Sequence, residues 1–388
     1  MQIAKSKRLE GIGEYYFSQK LREIEQLNKA GKNIINLGIG SPDLPPHPSV
    51  IKVLQEQAGL SNTHAYQSYK GVAALRNAIA GWYQNWYQVN LNPDTEILPL
   101  LGSKEGIMHI CMTYLNEGDQ ALIPNPGYPT YTSAVKLAGG TPVYFELTEE
   151  SNWEPNFDKL EAGDLSKVKL MWVNYPQMPT GKKPTIELFQ KLLAFGKKHQ
   201  ILICHDNPYS FILNDAPMSL LSVAGAMDTA IELNSLSKSQ NMAGWRIGTL
   251  CGAEERINDV LTFKSNMDSG MFLPVQHAAV AALSLGADWY HSVNEVYSKR
   301  REKVFELLDA LGCKYSMNQV GMFKKKKISE NIKDGYELSD QVLYKSNVFI
   351  TPGGIFGSAG NQYIRVSLCG SITKFEEAIQ RIEAQKAN

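Results

Sequence analysis

Residues Ile97–Gly106 read ILPLLGSKEG, a short apolar run followed by a glycine, a hydroxyl and a lysine that open a segment of helical periodicity. A run apolar at every position, rather than alternating, belongs to a strand buried on both faces. The same pattern recurs. ALIP (121–124) precedes NPGYP, VKLMWV (168–173) precedes NYPQMPTG, ILIC (201–204) precedes HDNPY, and AIEL (230–233) precedes NSLSK. Helical segments separate these runs, so the chain is α/β with a mostly parallel sheet covered on both faces. Ligands of such sheets sit beyond the carboxyl ends of the strands. Here those ends carry the Gly, Pro, hydroxyl, aromatic and charged residues.

Outward from this centre, Phe17, Leu21, Ile24 and Leu27 recur at helical spacing and stop at Gly31, predicting a helix over 15–30. Val72, Leu75, Ile79, Trp82 and Trp86 predict a second helix after Gly71. Past residue 280 the pattern changes to a charged helix around Tyr297–Leu311, strands near 345 and 363, and a last helix opened by a Thr373–Glu376 capping box. We expect a large domain over 46–280 and a small one from 1–45 with 281–388. The run GMFKKKKI (321–328) is expected to be an exposed edge strand whose lysines block pairing.

The 388 residues are 43% apolar, with 39 basic and 39 acidic side chains, so no global field recruits nucleic acid or an anionic membrane. No run of eighteen apolar residues is present, and the N-terminus has no apolar signal core. The five cysteines are far apart and unpaired in pattern, as in a reduced, cytoplasmic protein; no metal site is expected.

Taken singly, the strand-end clusters have ordinary explanations. Gly102-Ser103-Lys104 makes a helix start that could bind an anion or simply cap. Ser235, Ser237, Lys238 and Arg246 could hold a phosphate or form a solvated basic loop. Asp206 could be a turn residue, and Tyr128 could cover core. Together they form a phosphate grip, an aromatic plate, a carboxylate and an amine at one sheet edge. Pyridoxal phosphate requires that set: an amine for its aldehyde, a carboxylate for its ring nitrogen and an anchor for its phosphate.

At this point the residues resemble a known family. LGIGSPD, the Tyr66–Gly71 spacing, GSKEG, NPGYP, NYPxxPTG, DNPY, SLSK with an arginine eight residues on, and TPGGIFG followed by YIRVSL are similar to the class I/II (fold type I) pyridoxal-phosphate aminotransferases over about residues 10–385. Within them the chain looks most like the branch of LL-diaminopimelate and aspartate aminotransferases. The resemblance implies a mixed, mostly parallel seven-stranded sheet in a large domain beside a smaller α+β domain. It also implies amino transfer between an L-amino acid and a 2-oxo acid, with LL-diaminopimelate and aspartate among the candidate donors.

The roles it implies are these. Lys238 is the Schiff-base lysine and proton carrier, Asp206 the partner of the ring nitrogen, Tyr209 the phenol on the ring oxygen and Tyr128 the stacking aromatic. Ser103, Lys104, Ser235, Ser237 and Arg246 hold the phosphate, with Tyr66 reaching over from a second subunit of a homodimer with shared active sites. Arg365 and Gly40 take the substrate's α-carboxylate, and Tyr15 lines the pocket. Lys104 or a residue of the other subunit is the candidate cation for a distal carboxylate.

Two departures stand out. Met178 occupies the position where the family carries an asparagine that donates to the ring oxygen, and a thioether cannot donate. The lysines at 324–327 stand where relatives are apolar. A carbon–sulfur β-lyase on the same scaffold is the alternative activity. A non-catalytic regulator is disfavoured by zero net charge and the presence of Lys238. A dinucleotide enzyme is disfavoured because LGIGSPD lacks the third glycine of its fingerprint.

Overall fold

The strands of the computed structural model, which describes residues 1, 3–329 and 331–386, are β1 (Ile35–Asn36), β2 (Ile97–Leu100), β3 (Gln120–Asn125), β4 (Thr141–Glu146), β5 (Val168–Val173), β6 (Leu202–Asp206), β7 (Ala230–Ser235), β8 (Gly248–Gly252), β9 (Phe323–Lys327), β10 (Val348–Phe349), β11 (Thr351–Pro352) and β12 (Tyr363–Ser367). Seven of them form one sheet in the order β2-β8-β7-β6-β5-β3-β4. Pairing is parallel except at β8, which runs against both β2 and β7. The expected α/β fold with a mixed seven-stranded sheet is therefore present.

The five apolar runs became β2, β3, β5, β6 and β7, and they are buried along nearly their whole length. In the large sheet, the sequence reading passed over two strands. The edge strand β4 buries only Phe145 deeply, so it leaves no apolar run. In β8, Gly-Thr-Leu-Cys-Gly is buried throughout yet carries few apolar side chains. A Cβ at Gly248 would stand 2.6 Å from the Ser103 nitrogen, so close packing, not hydrophobicity, selects that residue.

Helices α1 (Tyr16–Lys29) and α3 (Ala73–Tyr87) follow the expected apolar spacing, α4 (Ser103–Tyr114) and α5 (Pro129–Leu137) fill helical segments between the strand runs, and the sequence reading passed over α2 (Pro48–Ala58). The first ends at Ala30 with Gly31 at φ +82°, the left-handed stop read from the sequence. The charged helix extends further than expected, over Ala287–Ala310. The last helix, Ile372–Lys386, begins before Thr373: Ser371 Oγ accepts from the Lys374 amide at 3.3 Å, so Ser371 and not Thr373 supplies the cap.

A second assembly stands beside the large sheet. β9, β12 and β11 form an antiparallel sheet, with β9 at its edge, and β1 pairs in parallel with β10. Its core gathers Ile35, Leu37, Val304, Leu308, Val342, Val366 and Phe375, while Phe17 and Ile24 of α1 pack with Leu343, Phe349 and Phe356. The N-terminal segment is thus built into this smaller assembly.

The lysine run corrects one expectation. β9 is an edge strand and Lys327 is exposed, but Lys324 and Lys325 are buried, at 1% and 3% exposure. The strand packs its edge against the Lys314–Gln319 segment and the large unit, so these ammonium groups face protein instead of water.

Candidate active site

Because β2, β3, β5, β6 and β7 point the same way, their carboxyl ends meet at one sheet edge. The reversed β8 starts at that edge and carries Arg246, two residues before it, into the same place. A cavity of about 660 Å³ opens there. Of the residues named from the sequence, all line it except Tyr66: Tyr15, Gly40, Ser103, Lys104, Tyr128, Asp206, Tyr209, Ser235, Ser237, Lys238, Arg246 and Arg365. Tyr66 is 90% exposed and lies outside that lining.

At one end is an anion cradle. α4 begins at Ser103, so its first amides are free of intrahelical partners and its dipole is positive there. Ser235 caps the short turn Leu236–Ser239, and its Oγ lies 2.9 Å from that of Ser237. Arg246 is fixed by donation to the Ala243 carbonyl at 2.8 Å and lies flat over Gly102. Gly102 has φ +94°, and a Cβ there would come within 2.2 Å of Arg246 Nη2, so any other residue would push the guanidinium away. Lys104 lies beside Arg246 and under the Tyr15 ring (5.0 Å), and burial together with Arg246 lowers its pKa.

At the centre, Asp206 is the last residue of β6, which runs two residues beyond the apolar stretch 201–204. Its Oδ2 accepts from the Tyr131 hydroxyl at 2.8 Å, and its buried Oδ1 has no partner. Burial pushes this carboxyl up to about 6 against the pull of the Tyr131 bond. Lys238 is buried as well, which lowers its amine to about 8, and Nζ donates to the Gly40 carbonyl at 2.8 Å. Tyr209 is enclosed by the same walls, and burial drives its phenol well above the ordinary value.

At the far end, Arg365 of β12 donates to the Gly38 carbonyl at 3.0 Å, while its buried Nε has no partner. Three phenyl faces surround its guanidinium: Phe323 at 3.8 Å, Phe356 at 4.5 Å and Phe17 at 5.6 Å. Burial lowers its pKa to about 10. Gly40 has no room for a side chain, since a Cβ would meet the Phe323 ring at 1.9 Å.

The sequence reading named no role for several lining residues. Tyr131 carries the hydrogen bond to Asp206 and stacks on Trp172 at 5.0 Å. Its signal was available as the second tyrosine of NPGYPTY. Asn174 donates to the Asp206 carbonyl oxygen and accepts from the Met178 amide at 2.8 Å. The phenyl cage of Arg365 joins three distant segments, and no local pattern announces it. Met178 lines the cavity as expected. Outside the site, Glu105, His109 and Asp268 bring their ligand atoms within 4.8 Å of one another, but the Lys264 ammonium stands 2.8 Å from Asp268 and already supplies a cation there.

These groups fit pyridoxal phosphate. Asp206 Oδ1 is a buried acceptor awaiting a cationic N–H, the low-pKa amine of Lys238 suits condensation with an aldehyde, and the Ser103–Arg246 cradle suits a phosphate.

Comparison with known proteins agrees. The family described as aminotransferase class I and II matches residues 32–382. LL-diaminopimelate aminotransferase of Dehalococcoides mccartyi (strain BAV1) is 38% identical over 383 residues, covering 98% of both chains. That of Halothermothrix orenii is 38% identical over 378 residues, covering 97% of both. Among solved structures, substrate-bound BacF from Bacillus subtilis superposes with a TM-score of 0.94 at 35% identity, covering all of this chain and 98% of that one.

Proposed function

Since this chain belongs to the class I and II aminotransferases and is a pyridoxal-phosphate-dependent transaminase, we propose specific roles for the residues gathered in its cavity. The observation that carries the reading is the pairing of a buried, partnerless Asp206 Oδ1 with a buried, low-pKa Lys238 in one cavity. When bound, the cofactor supplies an electron sink that acidifies the substrate's Cα–H. Asp206 holds the ring-nitrogen proton, and two or more donors among Ser103, Lys104, Ser235, Ser237 and Arg246 hold the phosphate. Tyr128 covers the ring face and Tyr209 donates to the ring oxygen.

Arg365 takes the α-carboxylate in a two-point grip, with Gly40 lining the same end and Tyr15 closing over it. Lys238 Nζ would take the proton from the substrate's Cα and deliver it two atoms along, beyond the nitrogen being transferred. Its burial keeps enough of it neutral near pH 8 to act as a base. The amino group of an L-amino acid is thereby exchanged for the oxo group of a 2-oxo acid, and LL-diaminopimelate is the first donor to try, from the names of the relatives.

We read residues 46–280 as the large cofactor domain and 1–45 with 281–388 as the small one. The separate sheets and cores support this division. We also read the working unit as a homodimer in which Tyr66 of one subunit completes the phosphate site of the other. Tyr66, Tyr69, Met267 and Phe272 are all exposed, and Gly270 lies against Gln67, so these side chains belong to one surface region suited to a second copy. A cytoplasmic location is supported by five free cysteines, and no helix among the described residues is long and apolar enough to cross a membrane.

The test is borohydride trapping of the cofactor on Lys238 followed by a panel of donors (LL-diaminopimelate, aspartate, alanine, methionine and aromatic amino acids) with 2-oxoglutarate or pyruvate. Acceptor-dependent amino transfer with trapping at Lys238 is expected. Trapping at another lysine would sink the assignment of the base. Pyruvate release from an added substrate with sulfur on Cβ, such as cystathionine, without an acceptor would favour the β-lyase.

A further inference from the structure

Lys325 stands directly opposite Arg365 in the antiparallel register of β9 and β12, so both side chains leave the same face of that sheet. Two like charges so placed repel, and neither has a carboxylate between them. They part in opposite directions. Arg365 leans over Phe323, and Lys325 places Nζ 3.6 Å from the Trp153 ring centre and 3.7 Å from that of Tyr363. Lys325 Nζ is buried and makes no hydrogen bond; burial lowers its pKa to about 7, and the Glu149 carboxylate and the two π faces act against that pull to favour the ammonium.

The residues it joins belong to two different assemblies, Tyr363 to β12 and Trp153 to a loop packed on the core of the large sheet. Tyr363 is two residues before Arg365 on β12, and its hydroxyl donates to Glu149 at 2.9 Å. Trp153 and the preceding Asn152 both hold left-handed backbone, at φ +59° and +54°, a conformation that a bulky side chain adopts only when its surroundings impose it. The Trp153 carbonyl accepts from the Tyr175 hydroxyl at 2.8 Å, and Tyr175 adjoins Asn174, which donates to Asp206. A chain of contacts thus runs from the strand of Arg365, through the caged ammonium, to the backbone of Asp206 at the end of β6.

We infer that Lys325 is a positioning residue. Clamped between Trp153 and Tyr363, its ammonium ties the strand carrying Arg365 to the 148–153 loop of the large unit and sets where the guanidinium meets the substrate's α-carboxylate. The inference rests on the reading of Arg365 as the carboxylate-binding residue. An uncharged side chain of the same length would fill the slot but lose the attraction to both rings. Arginine would keep it, since a planar guanidinium stacks between aromatic faces.

The experiment compares Lys325→Met, Lys325→Arg and Arg365→Lys in the cofactor-loaded enzyme, with 2-oxoglutarate as acceptor and the fastest donor of the panel above. Lys325→Met should raise KM for both substrates about tenfold, in line with loss of desolvated cation–π contacts, with kcat within about threefold. Lys325→Arg should keep both KM values within about threefold of the parent. A Lys325→Met enzyme with unchanged KM and a lower kcat or melting temperature would overturn the inference and leave the lysine a mere packing residue. So would an arginine variant as impaired as the methionine one. If Lys325→Met is recovered insoluble, Trp153→Leu removes one ring and leaves the amine, and it carries the same expectation. Arg365→Lys with unchanged KM would overturn the underlying carboxylate assignment and the inference with it. A raised KM in Arg365→Lys beside an unaffected Lys325→Met would overturn the inference alone.

Discussion

Replacing Lys324 with methionine should make the folded protein more stable near neutral pH and flatten its stability profile. Lys324 is buried, and among the described residues its Nζ has only the Gln319 carbonyl as a hydrogen-bond partner, with Arg301 adding repulsion. An unfolded chain keeps a lysine proton up to pH 10.5, whereas burial makes Lys324 release it at about 7. The folded-state value is the lower one, so the unfolded chain binds more protons throughout this interval and stability rises with pH. At 1.36 kcal/mol per pH unit of separation, the full difference is about 5 kcal/mol, of which about 2 kcal/mol lies between pH 7 and 9. Methionine has no proton to lose and sacrifices one hydrogen bond worth about 1 kcal/mol. The variant should therefore gain about 3 kcal/mol at pH 7, and that advantage should shrink by about 2 kcal/mol at pH 9. Denaturant midpoints of both proteins, measured at the two pH values with the same cofactor concentration, give the difference directly, because the cofactor's own contribution cancels. An advantage that does not change with pH, or a variant less stable at pH 7, would refute the placement of a neutral lysine in this core.

The other predictions concern the cofactor end. In Met178→Asn, the restored amide donor should let the linkage between Lys238 and the cofactor lose its proton about one pH unit lower, read as a shift of the absorbance titration; an unchanged or higher value would count against a lone Tyr209 donor. Asp206→Asn leaves an amide where the ring nitrogen needs an anion, and kcat should fall between about a hundredfold and several thousandfold, the loss expected on breaking a buried charge pair. A rate within about threefold in a single-turnover assay would remove Asp206 from its role. Gly102→Ala forces a side chain onto Arg246 at a positive φ and should weaken cofactor affinity about tenfold or more by equilibrium dialysis; unchanged affinity would mean Arg246 does not hold the phosphate.

How far the sequence could be read depended on whether a residue's job is local. Strands buried on both faces announce themselves as apolar runs, and α1, α3 and α4 follow helical spacing, because in each case the burial pattern is written over neighbouring residues. β8 escaped notice because its selection is for small volume: Gly248 is pressed against Ser103 and Gly252 against Ile231, and a requirement for empty space leaves no hydrophobic mark. The residues of the cofactor end were legible for a related reason. Ser103, Tyr128 and Lys238 follow their strands closely, Asp206 ends β6 and Arg246 comes just before the reversed β8, so topology alone brings them to one edge.

The carboxylate end follows a different logic. Arg365 was found through its resemblance, but what makes it work is a cage drawn from α1, β9 and the 353–356 turn, more than three hundred residues apart at the extremes. β9 itself was misjudged because four lysines in a row are read as solvent-facing charge, a rule that prices an ammonium by its hydration. In this fold the price is set by what replaces water. At Lys325 two aromatic rings do so, and at Lys324 a single backbone carbonyl does. Burial lowers both amines to about 7, but the two side chains leave opposite faces of one strand and meet different partners, so they should respond unequally to the same substitution. Loss of the charge at 324 relieves a burden on folding. At 325, where Glu149 and the two rings oppose the pull of burial, it should bring less relief in stability and should disturb substrate binding instead. A run that looks uniform in sequence thus divides, residue by residue, into one lysine that opposes folding and one that serves the site.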